Sequence, residues 1–163
     1  MSGRLRVLFE EPELTLATFE NALVWALRGE TTLDRLERSR SAHAQLAEEY
    51  PGGFAVMTIL SQEASLSVPK DALELSARIM REYRQHYSGY CLVAEGSGFR
   101  GSIARGVLAG VRLVARPSCP ARAFSDVESA ARWVGALMSP GAGAERMGID
   151  LAAAAQRVRV AKP

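Results

Sequence analysis

The chain has 163 residues, 48% apolar and 23% charged, with a net charge of +2; these are the proportions of one soluble globular domain with ample chain for a single core. So small a net charge gives no argument for binding nucleic acid or an anionic membrane surface, and no apolar run approaches the ~18–20 residues of a membrane span. Two cysteines, Cys91 in an apolar run and Cys119 between Ser118 and Pro120, make no disulfide framework. Met1-Ser2-Gly3-Arg4 starts a strand-like alternation rather than a signal peptide. The expected location is the cytoplasm.

Taken in order, Arg4 to Phe9 alternates like an edge strand, and Glu10-Glu11-Pro12-Glu13 interrupts it. Leu14 to Arg28 reads in two ways. Leu16, Phe19, Leu23 and Leu27 have helical spacing, yet Glu20-Asn21 is a turn signal and Ala22 to Leu27 is a short apolar run. Two strands are preferred, because Gly29 follows at once and a strong helix start comes two residues later. At that start Thr31 or Thr32 is the cap, Asp34 completes a capping-box pattern with Thr31, and Leu33, Leu36, His43, Leu46, Ala47 and Tyr50 share a face. Pro51-Gly52-Gly53 ends this helix. Gly53 to Leu60 is a nearly continuous apolar run, as in a strand buried on both faces. After the polar Ser61–Ser67 loop, Pro69 opens a helix whose stripe is Ala72, Leu73, Ser76, Ile79, Met80, Tyr83 and Tyr87, stopped by Ser88-Gly89.

Tyr90 to Ala94 is the next buried strand, expected beside Gly53–Leu60 and parallel to it. Gly96-Ser-Gly-Phe-Arg-Gly101 leads to a third helix carrying Ile103, Val107, Gly110, Val111 and Val114, broken by Arg116-Pro-Ser-Cys-Pro120. Arg122-Ala-Phe124 is a short strand. Ser125 or Asp126 caps a fourth helix with Val127, Ala130, Ala131, Trp133, Val134 and Leu137. Ser139 to Gly143 reads as a linker. The Ala-rich segment from Leu151 to Val160 has the pattern of a last helix, but alanine buries little surface and its docking is left open. Strands alternating with helices imply an α/β fold with a mostly parallel sheet, about five strands and about four helices, the first two strands able to pair as a hairpin. Residues 1–138 form the domain, and 139–163 a linker and tail.

The strand pair leading to Gly29-Glu-Thr-Thr-Leu-Asp, the buried strand before each helix, and the closing Ala-Phe-Ser-Asp-Val-Glu-Ser-Ala-Ala-Arg-Trp-Val resemble the STAS-like domain of anti-sigma-factor antagonists and related uncharacterised bacterial proteins. The resemblance covers residues 15–138. It implies a non-enzymatic module that engages another protein in a bacterial regulatory pathway. In the antagonists, a serine at the start of the helix after the central strand is phosphorylated by a partner kinase. Here Ser65-Leu-Ser67-Val-Pro stands where an Asp-Ser-Ser-Gly pattern would be, so Ser61, Ser65 and Ser67 are the candidate regulatory serines.

Two features compete with that reading. Gly96-x-Gly98-x-x-Gly101 matches the dinucleotide pattern between a strand and a helix, although Asp126 lies about thirty residues beyond the first glycine rather than the usual ~20. Glycines serving a turn and close helix–sheet packing account for the same pattern. From Gly96 to Ser125 there are also five arginines (Arg100, Arg105, Arg112, Arg116, Arg122) and no acidic residue. Gly96, Ser97, Gly98, Arg100, Gly101, Arg105 and Arg112 therefore form a candidate site for a phosphate or an acidic partner. A solvated helix face is the plainer account. The alternative function is a small-ligand module, holding an anion at this loop or an apolar molecule between sheet and helices.

His43 reads as a hydrogen-bonded core histidine, since no metal-ligand spacing accompanies it, and His86 as a partner of a helix C-terminus. Glu10-Glu11 and Glu48-Glu49 are adjacent pairs whose side chains point apart, and neither cysteine has a histidine nearby in sequence. Trp25 and Trp133 read as core or boundary anchors. No cofactor or metal is implied. Another copy of the chain is a second kind of partner to be tested.

Overall fold

Residues 3–96, 98–116 and 118–160, without the side chain of Val114, are described by a computed structural model. The chain enters through three antiparallel strands, β1 (Leu5–Glu11), β2 (Leu14–Phe19) and β3 (Ala22–Leu27). Residues 14–28 are thus two strands. Every residue of β2 and β3 is buried. A helix would bury one stripe and expose the rest, whereas a strand covered on both faces buries all its side chains. The turn between them sits at Glu20, with φ of 49°, and Asn21.

From β3 onward the sheet is parallel. Helix α1 (Leu33–Glu49) leads to β4 (Phe54–Leu60), α2 (Lys70–Tyr83) to β5 (Tyr87–Ala94), and α3 (Gly98–Ala115) to β6 (Ala121–Phe124). The six strands lie side by side in chain order. The expected adjacency of the Gly53–Leu60 and Tyr90–Ala94 strands holds, and the sheet has one strand more than expected because three strands precede α1. Right-handed crossovers that always step in the same direction lay their helices on one face. So α1, α2 and α3 cover the face presented by Leu23, Trp25, Leu27, Val56 and Leu92.

After the edge strand β6 the chain turns beneath the sheet. There α4 (Val127–Met138) and α5 (Ala144–Arg159) cover the opposite face, packing on Val24, Ala26, Met57, Ile59, Cys91 and Val93. Asp126 caps α4, its Oδ1 accepting from the Ser129 N–H at 2.7 Å. The Ala-rich segment docks fully: Leu151, Ala154, Ala155 and Val158 are core residues. Two glycines permit this. A Cβ on Gly135 would lie 2.5 Å from the backbone nitrogen of Gly148, and one on Gly148 would lie 2.9 Å from the Cα of Arg132. Arg28 pins the end of α5, donating to the carbonyls of Val158 (3.4 Å) and Arg159 (3.3 Å) as well as to Pro12, Glu11 and Thr15.

Several local expectations are corrected. Thr32 caps α1, accepting from the Arg35 N–H at 3.3 Å; this puts Arg35 at the third helical position, so the box expected of Thr31 and Asp34 does not form, and the Asp34 carboxylate pairs with Arg38. Leu33 and Leu73 are exposed, so the stripes of their helices lie slightly aside of the pattern read from sequence. Tyr87 does not continue α2. The helix ends at Tyr83, and Tyr87 opens β5, pairing with Phe54 and packing edge-on against its ring at 5.5 Å. Ser88 and Gly89 consequently lie inside β5.

Candidate functional site

Helix α3 organises what the molecule offers to other molecules, because its two faces have different surroundings. Ala104, Leu108 and Ala115 are buried, with Val107 and Val111 partly buried beside them. This line is turned slightly from the expected Ile103–Val107–Val114 stripe, and the Val114 side chain lies outside the described residues. On the outer face, Phe99 and Leu113 are 74% and 76% exposed. Gly106 stands midway between them. At about 3.6 residues per turn, positions seven apart fall on one line, so the three form a stripe roughly 21 Å long. Space around Gly106 and Gly110 is open.

The arginines of this region divide. Arg100 turns inward, donating from Nε to the Glu95 carbonyl at 2.9 Å and from Nη2 to the carbonyls of Ser61 (2.8 Å) and Ala64 (3.0 Å). Its guanidinium is committed to holding two loops. Arg105 and Arg112 are exposed along one flank of the Phe99–Leu113 stripe, and Arg105 donates to the Ser102 hydroxyl at 3.0 Å. Arg122 reaches over the Phe124 ring on the edge strand, 5.2 Å from its centre.

Within the glycine motif, Gly96 has φ of +117°, a conformation other residues rarely adopt, while Gly98 and Gly101 belong to the first turn of α3. Ser97 lies outside the described residues. Of the loop serines, Ser61 is buried, Ser65 is half-buried and Ser67 is exposed. The Ser65 N–H donates to the Gly29 carbonyl at 3.1 Å, and its hydroxyl to the Ser67 carbonyl at 3.3 Å.

The inner face of α3 helps enclose a cavity that motif reading misses. About 90 Å³ lies between the sheet and helices α2 and α3, roofed by the loop residues Ser65, Leu66 and Val68. A smaller space of about 30 Å³ adjoins it and shares Trp25, Leu36, Thr58, Ser76 and Tyr90. The Thr58 hydroxyl lies 3.4 Å from that of Tyr90. The indole N–H of Trp25 and the hydroxyl of Tyr87 are buried with no hydrogen-bond partner. His43 borders the smaller space. Its Nδ1–H donates to the Ser39 carbonyl at 2.7 Å, its ring touches Phe54, Tyr83 and Tyr87, and burial lowers its pKa to about 4. It is a neutral core histidine.

Cys91 is buried, and burial raises the pKa of its thiol, which disfavours the nucleophilic thiolate. Among the described residues no group of three or more His, Cys, Asp or Glu side chains is placed to hold a metal ion, and no helix is long and apolar enough to cross a membrane. The outer stripe did leave a trace in the sequence, the heptad spacing of Phe99, Gly106 and Leu113. The sequence offers the space between sheet and helices only as a general possibility and names none of its lining, because the walls come from three strands and three helices distant in sequence. Comparison with protein-family models, with curated proteins and with solved structures finds no match to this chain.

Proposed function

We propose that the chain is a non-enzymatic regulatory domain of a cytoplasmic signalling pathway that binds another protein, with the outer face of α3 as the docking surface. The observation that carries this is the exposed Phe99–Gly106–Leu113 stripe, two large apolar side chains flanking a waist of small residues. Such a surface accepts an amphipathic helix, whose ridge enters the waist while its apolar residues cover the two ends. Charge complementarity specifies the occupant. Arg105 and Arg112 flank the stripe, and α3 contains no acidic residue. A partner helix with acidic residues along one edge fits. A second copy of the chain would set these arginines against their own kind, which opposes pairing.

The STAS-like resemblance supports the same reading through the strand–helix order and the closing Phe124–Val134 segment, since domains of that kind act by binding partner proteins. Ser67 is the exposed serine of the candidate regulatory loop and the one a modifying partner would reach. An anion site at the glycine loop has less support, because Arg100 is already engaged by three carbonyls.

Affinity capture from extracts of the source cells tests the proposal, with the native chain, Leu113→Asp, and the double variant Arg105→Glu/Arg112→Glu as baits. The expected result is a protein held by the native bait, released by about 1 M salt, and lost from both variants. Its purified form should then bind the native chain through an acidic helix. Salt acts here because the Debye length falls from about 10 Å at 0.1 M to about 3 Å at 1 M. Retention of the same proteins by all three baits would overturn the proposal. So would a native dimer, seen by light scattering, that Leu113→Asp dissolves.

A further inference from the structure

The cavity beneath α3 has the composition of a ligand site. Its walls are mostly Leu, Val and Ala side chains from the sheet, the three helices and the roofing loop, with Trp25, Thr31, Thr58, Ser65, Ser76 and Tyr90 as polar exceptions. Among the described residues no Asp, Glu, Lys or Arg borders either of the two joined spaces. His43, the one titratable base at their edge, is neutral near pH 7. A charged ligand would leave water without a counter-charge, which is costly. The ligand must therefore be neutral. It must also be mostly apolar, since that is what the walls offer.

The unpaired groups specify the rest. Buried polar atoms in folded proteins nearly always have a partner, so a buried N–H without one calls for an explanation. Trp25 borders both spaces, and its indole N–H is such a group; Tyr87 borders the smaller space and carries another. An indole N–H can only donate. The occupant must then carry an oxygen able to accept.

The combined space clears the ~10–15 Å³ that one water needs by several fold. At about 90 Å³ the larger space is smaller than the ~150 Å³ apolar cavity that takes up benzene, so an occupant with a ring must extend into the adjoining space of about 30 Å³ and toward the mouth. An entrance is marked by the apolar groove between α2 and α3, which shares Leu73, Val107 and Val111 with the cavity.

We infer that this cavity binds a small, neutral, largely apolar molecule bearing a carbonyl or hydroxyl oxygen, and that the indole N–H of Trp25 donates to that oxygen. The site uses the inner face of α3 and the docking surface the outer face, so either reading can fail without the other.

The test is a titration of the full chain, labelled with nitrogen-15, against three probes of similar shape. Acetophenone is neutral with one carbonyl, ethylbenzene lacks the acceptor, and benzoate is charged. Acetophenone is expected to saturate and to shift the Trp25 indole resonance, identified by its absence in Trp25→Phe. Ethylbenzene should bind roughly 3- to 10-fold more weakly, the value of one hydrogen bond, and benzoate should not bind. Trp25→Phe keeps an aromatic ring but removes the donor. It should weaken acetophenone by the same factor and leave ethylbenzene unchanged. Ala104→Leu, which fills the cavity, should abolish binding of both.

The inference is overturned if acetophenone does not move the Trp25 resonance at millimolar concentration, which would leave only ordered water as the partner. It is also overturned if benzoate binds as well as acetophenone, or if folded Ala104→Leu binds as the native chain does. Should Ala104→Leu fail to fold, the Trp25→Phe comparison decides.

Discussion

The two faces of the sheet are covered by helices in opposite ways. Beneath α4 and α5 many contacts are made by alanines (Ala130, Ala131, Ala154 and Ala155) among Val127, Val134, Leu151 and Val158, and the two helices approach each other until backbone meets backbone at Gly135 and Gly148. Beneath α1, α2 and α3 larger side chains, Leu, Trp, Tyr and Phe, predominate, and space remains. Side-chain size explains the difference. Small residues let two surfaces close to crystal-like density, whereas large rings and branched chains prop helices apart and fill the gap only where their shapes match. Buried polar side chains are concentrated on one side, although Thr15 lies on the other, bonded to Arg28. His43, Thr58, Ser76, Tyr87 and Tyr90 all border the hollow side. A face that closes on itself contributes stability, and a face that stays open can also bind.

The largest expected difference between the faces is a response to pH. His43 titrates at about 4 in the folded chain and near 6.5 when unfolded. Between those values the unfolded chain holds a proton that the folded chain lacks. This histidine's contribution is therefore complete above about pH 6.5 and is lost as pH falls toward 4, a span of roughly 3 kcal/mol. Glu82 is the charged neighbour that opposes the shift, and burial outweighs it. Denaturation in urea from pH 7 to pH 4 should show the loss. His43→Leu should flatten the slope across that window, leaving what the carboxylates contribute. An unchanged slope would mean that protons reach His43 without opening the hollow face.

A matched pair of substitutions compares the packing directly. Ala155 on α5 and Ala104 on α3 are both helical and fully buried, so replacement by leucine costs the same small helix propensity at each. On the closed face Ala155→Leu has nowhere to go and should destabilise by about 1–3 kcal/mol. On the hollow face Ala104→Leu enters the cavity and should cost less than about 1 kcal/mol, because the new side chain buries apolar surface in existing space. Equal costs in chemical denaturation would show that the two faces pack alike.

How much of this was legible in the sequence depends on how local each cause is. The helix start at Thr32, the Glu20-Asn21 turn and the buried strands β4 and β5 announce themselves through adjacent residues, and the alternating order follows from them. The spacing of Tyr87 continues the α2 stripe, and only its pairing with Phe54 from another strand makes it sheet. The docking of α5 rests on two glycines thirteen positions apart in different helices, which no periodicity reports. The arginines were legible as a basic run but not as individuals. Arg100 and Arg105 carry the same side chain five residues apart, and only the positions of the Ser61 and Ala64 carbonyls separate their roles.

That separation yields the smallest effect and the last test. Arg100→Gln removes the donors that satisfy three loop carbonyls, keeps much of the stem, and should destabilise by about 1–2 kcal/mol, as unmade bonds to partly buried carbonyls do. It should also loosen the Ser61–Ser67 loop that roofs the cavity. Amide hydrogen exchange at Ala64, whose N–H donates to the Ser61 carbonyl, would report this as faster exchange in the variant. Arg105→Gln removes an exposed charge that bonds only Ser102 among the described residues, and should stay within about 0.5 kcal/mol of the native chain with loop exchange unchanged. The two variants delete the same charge, so long-range electrostatics affects both alike and their difference isolates the carbonyl contacts. If they match in stability and in exchange, Arg100 does not hold the loop, and the roof of the cavity rests on the Ser65–Gly29 backbone bond instead.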